Sequence, residues 1–136
     1  MKDFPLASHQ FARKAATASH CAEEQGKFWE MSDAMFADQL KLSPADLLAT
    51  AQTLGLDADR FKTCVESDKF DPALAKAATD AAAAGVRGVP VFYIGATEPG
   101  SDNVKILRIL RGARPYADFK SAIDGLLGPV RQGAAE

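Results

Sequence analysis

"VRGVPVFYIG", residues 86 to 95, is the stretch that decides the fold. Gly88 and Pro90 stand directly before a run of β-branched and aromatic residues, so the sequence predicts a sharp turn and then a strand from Val91 to Ile94. The loop "ATEPGSDN" follows, and the next run, "VKILRILR", predicts a second strand. Because turn-forming residues join the two runs, the sequence predicts a β-hairpin.

Five helices are predicted before this hairpin and one after it, each bounded by residues that start or stop helices. The first five are predicted from a Ser8 cap to Gly26, from Lys27 to Leu40, from a Ser43 cap and Pro44 to Gly55, from an Asp57 cap through Val65, and from Asp71 to Gly85. The last is predicted from Pro115 to Gly128, with a frayed tail behind it. In the second helix we expect a buried side made of Phe28, Trp29, Met31, Met35, Phe36 and Leu40.

Length, composition and charge indicate one globular domain. The chain has 136 residues, 47% of them hydrophobic, and a net charge of -2. That charge argues against a general nucleic-acid or anionic-membrane partner, since both need a cationic surface. No segment approaches the roughly 20 apolar residues of a membrane span. "MKDFPLASHQ" lacks the apolar core of a signal peptide, so we expect a cytoplasmic protein as written.

Two patterns of charged and histidine residues are weak indications of a binding site. Lys105, Arg108, Arg111 and Arg114 recur at every third position, but residues with that spacing would not all point the same way in a strand. We interpret them as a solvated edge. His9 and His20 are about 16 Å apart along a helix, too far to share a metal ion. Both are expected at the surface or at a helix cap, and we predict neither a metal nor a cofactor.

Five longer stretches resemble consecutive pieces of one bacterial family. They are "KDFPL", "CAEEQGKFWEMSDAMFADQ", "LGLDADRFKTCVES", "GVRGVPVFYIG" and "RGARPYADFKSAIDGLL". They are similar to segments of the DsbA-like thiol:disulfide oxidoreductases, and the likeness extends from Lys2 to about Leu127.

The resemblance implies an α/β fold of the thioredoxin-like, DsbA type, here incomplete and mostly α by residue count. We expect one truncated domain. Its parts would be a strand remnant at 1–6, a helical insertion at 8–85, a hairpin with the C-terminal helix at 86–128, and a tail at 129–136.

The family's reactive cysteine pair has no counterpart in this sequence. In the family a strand that ends in Cys-x-x-Cys precedes the segment similar to "KDFPL", so we expect an N-terminally truncated member. Thiol exchange needs an accessible thiolate of lowered pKa and a second cysteine close by. Cys21 and Cys64 are 43 residues apart, both on the apolar sides of predicted helices. The chain is therefore predicted to have no catalytic residue and to be inactive in thiol exchange.

The resemblance also assigns roles to four residues. It implies a structural disulfide between Cys21 and Cys64; two buried reduced thiols are the alternative, which a cytoplasmic protein would favour. It implies a cis bond between Val89 and Pro90, where sequence alone would favour trans. It also implies that Val89 and Pro90 form a substrate-binding loop, in which Pro90 lies against the family's cysteine pair and the backbone of Val89 meets an extended substrate peptide.

Without the family's first strand, the edge of the strand over Val91 to Ile94 is expected to be unpaired. Exposed strand edges favour pairing with other chains. Either "KDFPL" moves in or a second chain covers the edge, and we expect a homodimer or higher assembly.

Three functions remain open from the sequence. In the first, the chain is a truncated or mis-started member of an oxidoreductase family whose intact relatives oxidise or isomerise disulfides of extended or unfolded proteins outside the cytoplasm. In the second, it is a peptide-binding module without redox chemistry. The third alternative is a structural helical scaffold whose resemblance records ancestry only.

Overall fold

The computed structural model describes residues 2–101 and 103–128. This part of the chain contains six α-helices and one two-stranded antiparallel sheet. In chain order the elements are α1 (Ala12–Glu23), α2 (Phe28–Ala37), α3 (Pro44–Thr53), α4 (Ala58–Glu66), α5 (Asp71–Ala83), β1 (Val91–Thr97), β2 (Val104–Arg111) and α6 (Tyr116–Leu127). They form two compact units, the helical unit (Met1–Gly85) and the hairpin unit (Val86–Glu136).

Local capping chemistry explains where α3 and α4 begin. The Ser43 side chain accepts a hydrogen bond from the Asp46 N–H, and the Asp46 carboxylate accepts one from the Ser43 N–H at 3.2 Å. This reciprocal pair satisfies N–H groups that a helix start otherwise leaves without partners. Asp57 accepts from the Arg60 N–H at 2.9 Å in the same way. The predicted caps Ser43 and Asp57 are confirmed.

The predicted start of α1 at Ser8 is wrong. The helix begins at Ala12, and its cap position is Phe11, three residues after Ser8, with no side-chain cap. A turn precedes it, in which the His9 N–H donates to the Leu6 carbonyl and the Ala12 N–H to the His9 carbonyl, both at 3.0 Å. Because backbone groups form this turn, the helix does not start from the Ser8 hydroxyl.

The core of the helical unit is built around α1. Ala18 and Ala22 are 0% exposed, and their small side chains let neighbouring helices approach closely. α1 packs against α2, α3, α4 and α5. The buried cluster consists of Ala18, Cys21, Ala22, Met31, Leu47, Ala51, Leu56, Phe61, Cys64 and Val65.

The predicted buried side of α2 is wrong for three of its residues. Trp29, Phe36 and Leu40 are 63%, 71% and 94% exposed, and α2 ends at Ala37 instead of Leu40. The side that packs on α1 carries buried Met31 and Ser32, and the hydroxyls of Ser32 and Ser19 lie 3.3 Å apart. A polar serine thus sits in the contact, while the larger Trp29 and Phe36 side chains are mostly exposed.

The disulfide between Cys21 and Cys64 is present, which confirms that prediction. It joins α1 to α4, with the two Cα atoms 5.8 Å apart and 43 residues between them in sequence. Both residues are buried in the core, at 1% and 5% exposure.

The hairpin unit confirms the predicted hairpin and final helix. β1 pairs with β2 in a register from Val91 opposite Arg111 to Thr97 opposite Val104, with an irregularity between Ile94 and Gly95. At Gly95 an added Cβ would come within 2.5 Å of the Lys105 carbonyl oxygen, so this close approach requires glycine. α6 packs against β2, and its Phe119 ring meets Phe92 edge-on at 4.8 Å.

Residues 2–6, expected as a strand remnant, form no strand. A strand is held by backbone hydrogen bonds to a neighbouring strand. These residues instead lie beside the helices of their own unit, where Asp3 contacts His20. The tail expected at 129–136 lies outside the described residues.

The α3 capping box gives a first prediction. Ser43→Ala removes the hydroxyl that accepts from Asp46, and we expect it to lower the free energy of unfolding of the helical unit by about 1 kcal/mol. Urea unfolding followed by Trp29 fluorescence measures this, since Trp29 is the only tryptophan. Ser8→Ala is the matched control, expected within about 0.5 kcal/mol of the parent chain. Equal losses in both variants would contradict the capping role.

The disulfide gives a second prediction. The chain-entropy model assigns a crosslink over a loop of this size about 4 kcal/mol. We therefore expect Cys21→Ala with Cys64→Ala to lower the urea midpoint strongly, with up to that loss in unfolding free energy. Under denaturing, non-reducing conditions a thiol reagent should find no free thiol in the parent chain. Two reactive thiols there would contradict the bridge.

Candidate functional site

The loop that precedes β1, residues 86–90, is the first candidate site. Its Val89–Pro90 peptide bond is cis, the isomer that the resemblance implies. The Pro90 carbonyl accepts a hydrogen bond from the Gly112 N–H at 2.8 Å, just past the end of β2. This bond holds the loop at the open end of the hairpin. We call residues 86–90 the proline loop.

Val89 lies at the surface, where the whole residue is 53% exposed. In the part of the chain that the structure describes, neither its N–H nor its carbonyl has a hydrogen-bond partner. Backbone groups of this kind are strong donors and acceptors that another extended chain can pair with. The loop therefore offers one donor and one acceptor beside Pro90.

The cysteines offer no reactive thiol. Cys21 and Cys64 are the only two in the chain, and each is bonded to the other. A disulfide sulfur can react only with a thiolate that reaches it, and these sulfurs lie in the core of the helical unit. The arrangement is that of a structural crosslink.

Residues 2–101 and 103–128 contain neither a candidate metal site nor a candidate membrane-spanning helix. No group of three histidine, cysteine or acidic side chains there is arranged to hold a metal ion. Among the same residues, none of the helices has both the length and the apolar character that crossing a membrane takes.

The four basic residues at every third position do not form one surface. Arg108 lies opposite Ile94 and Arg111 opposite Val91, an even and an odd position of β2, so their side chains point to different faces of the hairpin. Arg114 lies beyond the strand, where its Nη1 is 3.6 Å from the Asp118 carboxylate in α6.

His20 is a polar site that the sequence analysis missed. It was expected at the surface, but its side chain is only 26% exposed. Its Nε2 lies 2.9 Å from the Asp3 carboxylate and its Nδ1 3.1 Å from the Glu23 carboxylate. Glu23 follows His20 by three residues, so that contact was visible as helical spacing. Asp3 is 17 residues away, and only the tertiary structure brings it to the ring.

The surroundings of His20 shift its titration. Partial burial on its own lowers the pKa of the imidazole, because it disfavours the charged form. The hydrogen bonds to Asp3 and Glu23, together with their negative charges, outweigh burial. The net result is a pKa of His20 above its ordinary value of 6.5.

The chain is similar to short stretches of proteins that are named Na(+)/H(+) antiporters. Over 100 residues, 73% of this chain, it is 39% identical to the Na(+)/H(+) antiporter NhaA 1 of Salinispora arenicola and to NhaA 3 of Salinispora tropica. Over 118 residues it is 33% identical to NhaA 1 of Mycolicibacterium vanbaalenii. The matched stretch spans only 15% of the length of the two Salinispora proteins and 19% of the third. No solved structure matches the chain.

A family model matches nearly the whole described chain. It is the model of the DSBA-like thioredoxin domain, and it covers residues 3–124, which include both cysteines, the proline loop and most of α6. Within this range lie the helices and the hairpin that the resemblance placed in a thioredoxin-like fold with a helical insertion. The chain therefore belongs to the family of DSBA-like thioredoxin domains.

Proposed function

We propose that this chain binds extended or unfolded polypeptide through its proline loop and performs no thiol exchange with its own cysteines. The observation that carries the proposal is the exposed residue Val89, whose backbone N–H and carbonyl lack hydrogen-bond partners in the described part of the chain. Membership of the DSBA-like family supports protein substrates.

The binding mode follows from backbone chemistry. An extended peptide lying along the proline loop can accept from the Val89 N–H and donate to its carbonyl, and these bonds do not depend on the peptide's sequence. Each such bond contributes about 0.5–1.5 kcal/mol net. Two such bonds give weak, unselective binding, and contacts with side chains around the loop supply the remaining binding free energy.

The state of the cysteines supports the absence of redox chemistry. The family's exchange reaction starts from an accessible thiolate, whereas Cys21 and Cys64 are buried and bonded to each other. The antiporter names describe proteins of which the shared stretch is less than a fifth. For this reason the proposal rests on the family model rather than on those names.

Removing one backbone donor tests the binding mode. We expect Val89→Pro, which has no N–H, to weaken binding of a reduced, carboxymethylated unfolded protein by three- to tenfold, as one lost hydrogen bond predicts. Val89→Ala keeps the N–H and is the matched control, expected to bind within about twofold of the parent chain. Fluorescence anisotropy of the labelled probe measures both.

Two outcomes would overturn this binding mode. One is equal binding by Val89→Pro and Val89→Ala, provided the amide shifts of β1 and β2 show an intact hairpin. The other is no binding by the parent chain. In an insulin-reduction assay, the parent chain should reduce insulin no faster than the variant without cysteines. A higher rate would contradict the proposal that the chain performs no thiol exchange.

We also propose self-association through the hairpin. Val104, Ile106 and Ile109 of β2 and Tyr93 of β1 are 40–51% exposed. An apolar two-stranded hairpin is marginal by itself in water. A second copy supplies the same apolar surface and a further strand edge.

Light scattering tests this association. We expect a mass that approaches twice 14.5 kDa as concentration rises, and monomers from Ile106→Arg, because a buried charge opposes association. Leu127→Arg in α6, also at an exposed apolar position, should associate like the parent chain. A mass of 14.5 kDa at every concentration would contradict the dimer.

A further inference from the structure

We propose that His20 is a pH-sensitive latch: in its imidazolium form it donates to Asp3 and Glu23 at once and fastens the segment of residues 2–6 to α1. When it loses its proton, a single N–H is left for the two carboxylates, and the segment is held less firmly. The latch lies in the helical unit and is independent of the proline loop, so it goes beyond the proposed function.

The hydrogen bonds of the ring identify its protonation state. Both ring nitrogens lie within hydrogen-bond distance of carboxylate oxygens, Nε2 of Asp3 and Nδ1 of Glu23. An ionised carboxylate only accepts hydrogen bonds, and a neutral imidazole has only one N–H to donate. Only the imidazolium can donate to both acids at once. The observed arrangement therefore belongs to the charged ring.

The environment strengthens these contacts. The His20 and Asp3 side chains are 26% and 22% exposed, so water screens their attraction less than at an open surface. The rings of Phe28 and Phe70 pack against the imidazole with centroids at 5.8 and 5.1 Å. Packing from two other elements thus holds the ring in place between the acids.

Two acidic side chains act on the His20 ring. Asp3 from the N-terminal segment and Glu23 from α1 act on it directly, and both favour its charged form. Lys69, next to Phe70, binds Glu24 at 2.7 Å, and Lys27, next to Phe28, binds Glu30 at 3.0 Å. α2 contributes the uncharged Phe28 ring to the contact. Among the described residues, the charges that act on the pKa of His20 are those of Asp3 and Glu23, and both are negative.

Few polar contacts tie the segment to the helices, although Phe4, Pro5 and Leu6 are partly buried. Within the described residues, the bond from Asp3 to His20 is the only side-chain hydrogen bond from residues 2–6 to α1–α5. The charge of Lys2 reaches Asp80, but the lowered pKa of Asp80 comes first from the hydrogen bond of Lys76, and the Asp80 side chain is about half exposed. Losing the Asp3 contact removes the main polar anchor of the segment.

The direction of the pH dependence follows from the raised pKa of His20. A histidine with a folded-state pKa above its unfolded value stabilises the fold most below the unfolded value, here about 6.5. That stabilisation is lost as pH rises through the folded-state pKa. The segment is thus fastened in mildly acidic solution and held less firmly in alkaline solution.

NMR titration of the full chain tests the latch. We expect the His20 ring signals and the backbone amide signals of Asp3, Phe4 and Leu6 to change with one shared midpoint. Asp3→Asn removes one charge from the ring, so the His20 midpoint should shift to lower pH and the amide changes should be lost. His9→Gln, at the only other histidine, should leave both titrations unchanged.

Two results would overturn the proposal. One is a His20 titration during which the amides of residues 3–6 do not move. The other is the same His20 midpoint in Asp3→Asn as in the parent chain. Glu23→Gln provides a second, exposed variant should Asp3→Asn fold poorly: it should lower the midpoint while the segment stays fastened through Asp3 at acidic pH. Release of the segment at acidic pH in that variant would also count against the latch.

Discussion

The Cys21–Cys64 disulfide is the interaction on which the helical unit depends most. It links the first and fourth helices at the centre of the buried cluster and closes a 43-residue separation. An entropic contribution of about 4 kcal/mol is large beside the 5–15 kcal/mol by which typical domains are stable. The same bond uses both thiols of the chain, so one covalent link supports the fold and leaves neither cysteine as a free thiol.

The two units differ in how well they bury their apolar residues. In the helical unit Ala18, Ala22, Met31 and Ala51 are fully buried. Among the described residues of the hairpin unit, by contrast, Val86 is the only buried hydrophobic residue. A short hairpin with one helix has little core of its own. Such a surface can cover its exposed apolar residues in the two ways proposed above, by binding an extended polypeptide or by pairing with a second copy of the chain.

Charge adds a third constraint, near the start of the chain. Asp3 and Glu23 hold the His20 ring from two sides, and the Phe28 and Phe70 rings limit its access to water. The disulfide stabilises the helices at any pH at which it stays oxidised. The His20 contact, in contrast, depends on one proton, so the anchoring of residues 2–6 varies with pH while the core does not.

The sequence by itself determined features that rest on neighbouring residues. The caps at Ser43 and Asp57 and the hairpin from Val91 were predictable because their hydrogen bonds or side-chain alternation span only a few positions. The family resemblance added the disulfide pairing. The caps, the hairpin and the disulfide pairing could all be predicted without knowing how the helices pack.

Only the tertiary structure decided which faces and which distant groups meet. The apolar residues of α2 fit several helical faces, and packing on α1 chose the one with Met31 and Ser32, which left Trp29 and Phe36 exposed. The start of α1 was decided by a backbone turn rather than by Ser8. Asp3 reaches His20 across 17 residues of chain, a contact that no local pattern encodes because it exists only once the segment lies beside α1.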